Sequence, residues 1–595
     1  MHRMPFGAEL DGQGQGRFAL WAPSAKSVVL ETIVAGASEQ RPMRPKGRGW
    51  YETLVSDLPP GARYRYRIDD EIDVPDPASR FNPDGVDGPS LLMDPLQFQW
   101  HDDGWEGHPW HELVIYELHV GTFTQQGTYA ALVERLPDLV KLGITALELL
   151  PLATFPGTRG WGYDGVLVYA PHPAYGTPDD LKRLVQRAHE LGLSVLLDVV
   201  YNHFGPEGNY LGRYAREFFT SKYCTPWGDA IDVRNPTVRQ FFIQNALYWL
   251  YEYRFDGLRI DAIHAIQDDG PRHVIDELID AVQDGPGRER QIHIVLENHR
   301  NEAKRLRRPR VSQWNDDFHH AMHVILTGEV EGYYADYAEE PLAKLGRSLA
   351  EGFIYQGERS TVSGEKRGEP SKHLPASAFV NFVQNHDQIG NRALGERLAT
   401  LTRPEPLAAA YAILMLAPQL PMLFMGDEYA APQPFLYFCD YTGDLAKAVR
   451  DGRRSEFASF ASFSDETLRE RIPDPNARST FERSTLRWSE REEPEHRKWL
   501  DLATRLLEAR RRAIFPVIPK LVKGSAYYEV SDHVLSITWP TRAGDALRLI
   551  ANMSSEAASA PAVEGGSLVF STAAGSNATE LRAWEVRVFA PERRA

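Results

Sequence analysis

Residues 17–70 contain runs in which polar and apolar side chains alternate, most strictly in Tyr64-Arg65-Tyr66-Arg67-Ile68. A period of two residues is typical of β-strands that bury one face. The region therefore predicts an N-terminal immunoglobulin-like β-sandwich. A loop rich in Pro, Gly and Asp follows over residues 74–89, and we place the end of this domain at residue 95.

From about residue 111 the pattern changes to short, nearly continuous apolar runs separated by amphipathic stretches. Strands in which polar and apolar side chains do not alternate are typical of parallel sheets that helices cover on both faces. The eight strand candidates are Leu113–Tyr116, Thr145–Leu150, Ser194–Val200 and five that begin near Gly257, Ile292, Val311, Ser377 and Gln419. Eight strand–helix units over roughly 400 residues predict an α/β fold, a (β/α)8 TIM barrel with insertions over residues 96–520. An open doubly wound sheet is the alternative, although no Gly-rich phosphate turn follows the first run.

The clearest helix of this region follows Thr177, a candidate N-cap. Pro178 stands in the first turn, and Asp180 is placed to complete a capping box. The apolar residues then form one stripe, and Gly192 is suited to end the helix. A helix of this kind fits the outer layer of a barrel.

Residues 521–595 return to alternation, for example in Val534–Trp539 and Trp584–Val588. This pattern predicts a C-terminal antiparallel β domain. Before it, residues 451–475 are rich in Ser, Arg and Asp and predict an extended excursion after the last barrel strand. The sequence assigns no role to this excursion.

Composition narrows the range of partners. The 595 residues carry a formal net charge of -16, which disfavours nucleic acid and anionic membranes and favours a neutral small molecule or glycan. The chain has two cysteines, no basic-then-apolar leader and no apolar run long enough to span a bilayer. These features predict a cytoplasmic protein without a disulfide framework.

Four of the predicted strands end in polar side chains, at the place where a barrel carries its functional groups. They are the runs Asp198–His203, Arg259–Asp261, Ile294–Asn298 and Val383–Asp387. One such residue alone could be an N-cap or a solvated loop residue. Four in order are hard to explain by packing, because a buried carboxylate is costly unless it is paired. Together they predict a glycosidase active site.

These runs resemble the conserved regions of the α-amylase family of glycoside hydrolases, as do Trp161–Gly165 and Met425–Tyr429. The resemblance extends in order over nearly all of residues 111–430. It implies that Asp261 is the nucleophile, Glu297 the general acid/base and Asp387 a third acid that holds the sugar ring. The further residues that it assigns to the sugar site are Tyr163, Asp164, Asp198, His203, Arg259, His264 and His386.

Within that set, the resemblance implies that Tyr163 stacks on the sugar ring and that Asp164 completes the pocket. Other interpretations stay open for three of these sugar-site residues. His203 and His386 could be structural hydrogen-bond partners, and Tyr163 could belong to the core.

The chemistry of acetal cleavage agrees with these roles. The reaction needs one protonated carboxyl for the leaving oxygen and one ionised carboxylate for the oxocarbenium-like state. Arg259 projects on the same side of its strand as Asp261, which favours ionised Asp261. Glu297 has no basic partner in its own strand, which fits a raised pKa. We predict a retaining mechanism, with the carboxyls of Asp261 and Glu297 roughly 5 Å apart.

Asn202 resembles a position that binds calcium in many α-amylases. Here the loop after it is short and poor in acids, and no cluster of metal-binding cysteines occurs. The sequence therefore predicts no metal site and no cofactor.

A narrower resemblance involves residues 75–90, 313–320 and 331–337, which are similar to stretches of the maltooligosyltrehalose trehalohydrolases. It implies hydrolysis of the α-1,4 bond next to the terminal trehalose of maltooligosyl trehalose, in functional partnership with the synthase of that substrate. Candidates to hold the leaving trehalose are Asp316, Asp317 and His319. One departure is visible, since His299-Arg300 stand where relatives commonly carry acids.

Two other functions remain open. A glycogen branching or debranching enzyme of the same family would share every catalytic residue and differ in the pocket for the leaving sugar. A non-catalytic glycan-binding scaffold is a different class, and the intact acids Asp261, Glu297 and Asp387 argue against it.

Overall fold

The computed structural model describes residues 3–11, 14–225, 228–457, 465–575 and 577–592. Eight parallel strands close into a barrel, which confirms the predicted α/β TIM fold. We label them β1 to β8 in chain order: Ile115–Leu118, Ala146–Leu149, Ser194–Val199, Gly257–Ile260, His293–Leu296, Val311–Trp314, Phe379–Asn381 and Leu420–Phe424. Each begins within two residues of the run that predicts it.

The barrel strands lack alternation because they are buried on both faces. Every residue of β1, β2 and β3 is buried. Apolar side chains form a buried cluster in the barrel: Leu113, Ile115, Ala146, Leu196, Val295, Trp314, Val380, Phe382, Leu420 and Met422.

Helices surround the barrel and follow its strands. Those of eight or more residues are Pro178–Glu190, Pro236–Glu252, Val274–Asp284, Asp316–Thr327, Pro341–Glu351, Pro404–Leu416, Gly443–Glu456 and Pro494–Ala509. The shorter α-helices are Val120–Phe123, Tyr129–Val133, Leu136–Leu142, Leu211–Tyr214, His386–Gly390, Leu398–Leu401, Glu466–Arg469 and Arg478–Arg483. The helix Pro178–Glu190 begins with the predicted capping box, in which Thr177 and Asp180 bond each other's backbone N–H.

Two antiparallel sheets form the predicted N-terminal sandwich. One contains, in order, Gly7–Leu10, Gly16–Trp21, Trp50–Val55 and Arg44–Gly47. The other contains Ala37–Pro42, Val28–Val34, Arg63–Ile68 and Ile72–Val74, with Ser90–Leu91 paired to Arg63–Ile68. Tyr64, Tyr66 and Ile68 are buried and the arginines between them are not, as the alternation predicts.

The C-terminal domain is a five-stranded antiparallel sheet, as predicted. Its strands, in order, are Tyr527–Ser531, Val534–Pro540, Ala546–Asn552, Val586–Ala590 and Ser567–Ser571. Two-stranded pairs elsewhere are Ala153–Thr154 with Leu167–Pro171, Phe219–Thr225 with Gly228–Ile231, and Ala558–Ser559 with Glu580–Leu581. We propose domain boundaries at residues 95 and 520.

The start of the predicted excursion is not extended. The helix Gly443–Glu456 runs into it, and the short helix Glu466–Arg469 follows, while residues 458–464 lie outside the described part. Within the described ranges, none of the helices is both long enough and apolar enough to cross a membrane.

Candidate active site

The polar strand ends predicted from the sequence meet at one edge of the barrel. Asp198 of β3 pairs in register with Arg259 of β4, and Arg259 pairs with Val295 of β5. Because the strands are parallel, the residues that follow them emerge together at the carboxyl edge. Asp261 and Glu297 are therefore neighbours.

Arg259 is the centre of this group, with 1% of its surface exposed. Its Nη1 donates to Asp198 Oδ2 at 2.7 Å and to Asp261 Oδ1 at 2.8 Å. Its Nη2 donates to Glu297 Oε2 at 2.9 Å. The guanidinium also lies 4.0 Å from the centre of the Trp314 ring, a cation–π distance. One buried cation thus orients three carboxylates.

Asp261 is held in its ionised form. Asn202 Nδ2 donates to Asp261 Oδ2 at 2.6 Å, and His203 Nδ1 lies 2.5 Å from Asn202 Oδ1. Burial favours the neutral acid, but the charge of Arg259, together with His203 and the hydrogen bond from Asn202, outweighs it. The pKa of Asp261 is therefore below its usual value.

The surroundings of Glu297 favour its protonated form. Burial raises the pKa of Glu297 well above the usual value against the opposing charge of Arg259, and the charges of Asp261, Asp387 and Asp316 add to the rise. Glu297 Oε2 also accepts from the backbone N–H of Ala262 at 2.7 Å. The neighbours Asp261 and Glu297 thus have pKa values displaced in opposite directions, which is the arrangement of an acid and a nucleophile.

Ala262 has a left-handed backbone, at φ 38°, directly after Asp261. This conformation is unfavourable for a residue with a Cβ, and such strain clusters at functional sites. Here it turns the N–H of Ala262 toward Glu297. The sequence carries no signal for this contact.

Asp387 lies on the short helix His386–Gly390, close to its start. Asn385 Oδ1 caps the helix by accepting from the N–H of Asp387 at 2.9 Å. Asn391 Nδ2 donates to Asp387 Oδ1 at 2.8 Å. Asp387 and Glu297 line the same cavity.

Tyr163 forms a fixed aromatic wall beside this group. Its hydroxyl donates to Asp198 Oδ2 at 2.6 Å, and its ring is stacked on His386 at 5.1 Å between centroids. The Nδ1 of His386 lies 2.5 Å from Glu117 Oε1, and His203 Nε2 lies 2.9 Å from the Tyr163 carbonyl. The two histidines therefore hold the aromatic wall in place.

Asp198 and Asp164 are the remaining acids of the predicted sugar site. Burial raises the pKa of Asp198 to about 6, against the charge of Arg259. Burial also raises the pKa of Asp164, whose charge acts on Tyr437 and Tyr441. A hydrogen bond between the side chains of Asp164 and Tyr441 connects Asp164 to the segment that follows β8.

A cavity of about 890 Å³ opens over Glu297 and Asp387. It is wide enough for sugar rings. Other side chains around it are His264, His299, Arg300, Trp314, Asp316, His320, Tyr333 and Arg367. His264 and Asp316 were predicted for the site, whereas His320, Tyr333 and Arg367 were not singled out.

Asp317 and His319 do not reach this cavity, in correction of the prediction that they hold the leaving sugar. Both are fully buried. Asp317 Oδ2 accepts from Asn301 Nδ2 at 2.9 Å, and Arg367 lies 3.1 Å from Asp317 Oδ1. His319 is bonded to the Val383 carbonyl at 2.7 Å. They support the cavity wall from behind.

Sequence reasoning also missed two acids inside the barrel. Glu117 of β1 is bonded to His386, and Glu148 of β2 is 1% exposed. Burial raises the pKa of Glu148 well above its usual value, and the charge of Glu117 adds to the rise. The sequence signal that marks Glu117 and Glu148 is an acidic residue in the middle of an apolar run.

Three family descriptions match parts of the chain. "Alpha amylase, catalytic domain" matches residues 97–226, "Carbohydrate-binding module 48 (Isoamylase N-terminal domain)" matches residues 5–84, and a domain of unknown function matches residues 523–588. Their order agrees with the three-part architecture.

Similar proteins extend over most of the chain. A malto-oligosyltrehalose trehalohydrolase of Deinococcus radiodurans is 45% identical over 84% of this chain and 82% of its own length. One from Saccharolobus solfataricus is 40% identical over 82% and 84%. A crystal structure from Salmonella typhimurium, described as a candidate alpha amylase, has a TM-score of 0.94 at 42% identity and covers 99% of this chain and 100% of its own. With these relatives and this site geometry, the chain belongs to the malto-oligosyltrehalose trehalohydrolase family.

Proposed function

We propose that this protein is a retaining glycoside hydrolase that cleaves the α-1,4 bond next to the terminal trehalose of maltooligosyl trehalose. The products are trehalose and a maltooligosaccharide. The observation that carries the proposal is the pair Asp261 and Glu297, which share Arg259 while their pKa values are displaced in opposite directions. The names of the relatives support the choice of substrate.

The first step forms a covalent intermediate. Glu297 gives its proton to the glycosidic oxygen as the C1–O bond breaks and the bonding electrons leave with trehalose. Asp261 Oδ attacks C1 from the opposite face and forms a glycosyl ester. Asp387 holds hydroxyls of the same ring, and Tyr163 supplies a flat apolar face.

The second step releases the other product. Glu297, now a carboxylate, takes a proton from water as that water attacks C1, and Asp261 leaves as a carboxylate. Each step inverts the configuration at C1, so the configuration is retained over the whole reaction. Direct attack requires the carboxyls roughly 5 Å apart, and this spacing stays a prediction. Their contacts at 2.8 and 2.9 Å with the two terminal nitrogens of one guanidinium support it.

We assign the leaving trehalose to the cavity on the far side of Glu297. Asp316 and His264 line it and offer hydrogen bonds to sugar hydroxyls. Burial raises the pKa of Asp316 to about 7, so this side chain is able to donate as well as accept near neutral pH. His299 and Arg300 line the same cavity and add further hydrogen-bond donors.

Product analysis tests the proposal. Maltooligosyl trehalose should yield free trehalose, while a plain maltooligosaccharide of equal length should be cut slowly. Proton NMR should show the new reducing end first as the α-anomer. Brisk hydrolysis of α-1,6 branches or transfer of chains to new branches would establish a debranching or branching enzyme instead.

The alternative function, a glycan-binding protein without catalytic activity, is tested by one substitution. Asp261→Ala should abolish turnover and leave the fold intact, as judged by circular dichroism and the unfolding midpoint. If wild-type protein binds maltooligosaccharides but turns over none of these substrates, the scaffold function holds.

We further propose a cytoplasmic location and a supply of substrate by the synthase that forms the terminal trehalose unit. Cell fractionation tests the first. Coupled production of trehalose from maltooligosaccharide, when both enzymes are present and not with either alone, tests the second.

A further inference from the structure

The helix that carries Asp387 is only five residues long and depends on its surroundings for its position. Gly390 at its end lies against Trp161 so closely that a Cβ there would overlap the indole ring. The Trp161 ring is itself stacked on Phe435 at 5.2 Å. One end of the helix is thus fixed by close packing and the other by the Asn385 cap.

A guanidinium from the excursion after β8 completes this fixation. Arg453 Nη2 donates to the Gly390 carbonyl at 2.7 Å and to the Arg392 carbonyl at 3.0 Å. These are carbonyls at the carboxyl end of the helix, where a cation is favourable. The Arg453 side chain is only 8% exposed, so this contact is shielded from water and salt.

Arg453 belongs to the helix Gly443–Glu456, in which no residue is buried as a whole, although the Arg453 side chain itself is only 8% exposed. A helix without a buried face has little reason to fold for its own stability. It is attached where Phe457 and Ile472 pack on Ala393 and Leu394, directly after the helix of Asp387. The Arg453 guanidinium lies 4.7 Å from the centre of the Phe457 ring, at the same junction.

We propose that Arg453 is a positioning residue for catalysis, which fixes Asp387 through the carbonyls of Gly390 and Arg392. The inference rests on the proposed function, because it takes Asp387 as the residue that holds the reacting sugar. The helix Gly443–Glu456 then holds the carboxyl end of the Asp387 helix through this side chain. A catalytic group must be held within about 0.5 Å of its productive position, and a shielded guanidinium bonded to two carbonyls supplies such a restraint.

Arg453→Met and its matched control Arg450→Met test the proposal. Arg450 lies one turn earlier on the same helix, is 35% exposed and is bonded to Asp451. We expect Arg453→Met to lower kcat about tenfold to a hundredfold with little change in KM, the loss caused by a small displacement of a catalytic group. Arg453→Lys should recover part of the loss, and Arg450→Met should match the wild type. Both Met variants should unfold at nearly the same temperature.

A double-mutant cycle that combines Arg453→Met with Asp387→Ala tests whether Arg453 acts through Asp387. The substrate is an aryl α-maltooligoside, whose leaving group needs no trehalose pocket, so failure of trehalose release would overturn the proposed function without affecting this test. If Arg453 acts through Asp387, Arg453→Met should cost little once Asp387 is gone. Equal losses with and without Asp387, or an unchanged kcat in Arg453→Met, would overturn the inference.

Discussion

Arg259 is shared by Asp198, Asp261 and Glu297, so a change to one carboxylate alters the electrostatics of the others. The guanidinium is 1% exposed and cannot turn toward water for compensation. Conservative, isosteric substitutions are therefore the informative ones at this site, because they keep the hydrogen bonds and change the charge.

Glu297→Gln should lower kcat on maltooligosyl trehalose about 10²–10⁴-fold, the usual contribution of a general acid. The loss in the first step should be much smaller with an aryl α-maltooligoside, because an acidic leaving group needs no proton. Glu428→Gln is the matched control. Glu428 is 1% exposed and burial raises its pKa too, but it accepts from Tyr116 and Gly426 away from the cavity. Equal losses in both variants would contradict the assignment.

The pH dependence of kcat/KM should be bell-shaped. Asp261 must be ionised, and its pKa is lowered, so activity is lost as pH falls through that value. Glu297 must be protonated, and its pKa is raised, so activity is lost as pH rises through that value. Asp316→Asn removes a negative charge that raises the pKa of Glu297, and the alkaline limb should move to lower pH. An alkaline limb that stays in place would show that Glu297 is not the group observed.

The catalytic carboxylates could be predicted from sequence because a charge at the end of a buried apolar strand is costly unless a partner or a functional role offsets it. The cavity wall on the helix Asp316–Thr327 could not, since adjacent helical residues face different directions. Asp316 and His320, four residues apart, share the face on the cavity, while Asp317 and His319 point inward. The helical register, known only from the structure, separates the two sets.

A cluster around His189 connects the linker after the N-terminal domain to the helix Pro178–Glu190. His189 Nδ1 lies 2.5 Å from Asp102 Oδ2, and His189 Nε2 lies 2.9 Å from Asp256 Oδ2. Arg290 donates to Asp256 at 2.9 Å, and Arg254 pairs with Asp102. Both ring nitrogens face carboxylates, which favours the charged imidazolium.

This cluster predicts a pH-dependent stability. Burial lowers the pKa of His189, but the charges and hydrogen bonds of Asp256 and Asp102 outweigh it, and the pKa lies above the usual value of 6.5. The contribution is complete below pH 6.5 and is lost as pH rises through the raised pKa. The unfolding midpoint of the wild type should therefore fall over that range more than that of His189→Gln. If the unfolding midpoints of the wild type and His189→Gln change with pH in the same way, this prediction is wrong.

Several elements with little buried surface were not predicted from the sequence. The strands Ala37–Pro42 and Arg44–Gly47 are almost wholly exposed, so no alternation marks them. The helix Gly443–Glu456 has no residue that is buried as a whole, and only its end, from residue 451, falls in the excursion that the sequence predicts. For such elements, contacts with distant parts of the chain replace the hydrophobic pattern as the cause of structure.

At the scale of the molecule, Arg80 joins the N-terminal domain to the barrel. Its Nε donates to Glu252 Oε2 at 3.1 Å, and its Nη1 donates to the Ala8 carbonyl at 2.6 Å. The side chains of Arg80 and Glu252 are 3% and 11% exposed. The partners are 172 residues apart, and no local pattern predicts such a pair.

Arg80→Met should destabilise the protein by about 3–5 kcal/mol, because Glu252, which is only 11% exposed, loses its hydrogen-bonded partner and is left with the longer contact to Lys182 at 3.9 Å. The exposed pair Arg63 and Asp84 is the control, and Arg63→Met should cost about 0–1 kcal/mol. Chemical denaturation followed by tryptophan fluorescence measures both. Similar midpoints for the two variants would show that the domains are held by other contacts.

The charge of Asp261 on Glu297 has a consequence over the catalytic cycle. In the resting enzyme, the Asp261 carboxylate helps to raise the pKa of Glu297 and keeps a proton ready for the leaving sugar. Once Asp261 becomes an ester, that charge disappears while Arg259 stays, and the pKa of Glu297 falls. The side chain that began as an acid becomes a base for the incoming water without moving. Ester formation at Asp261 thus determines when Glu297 changes from an acid to a base.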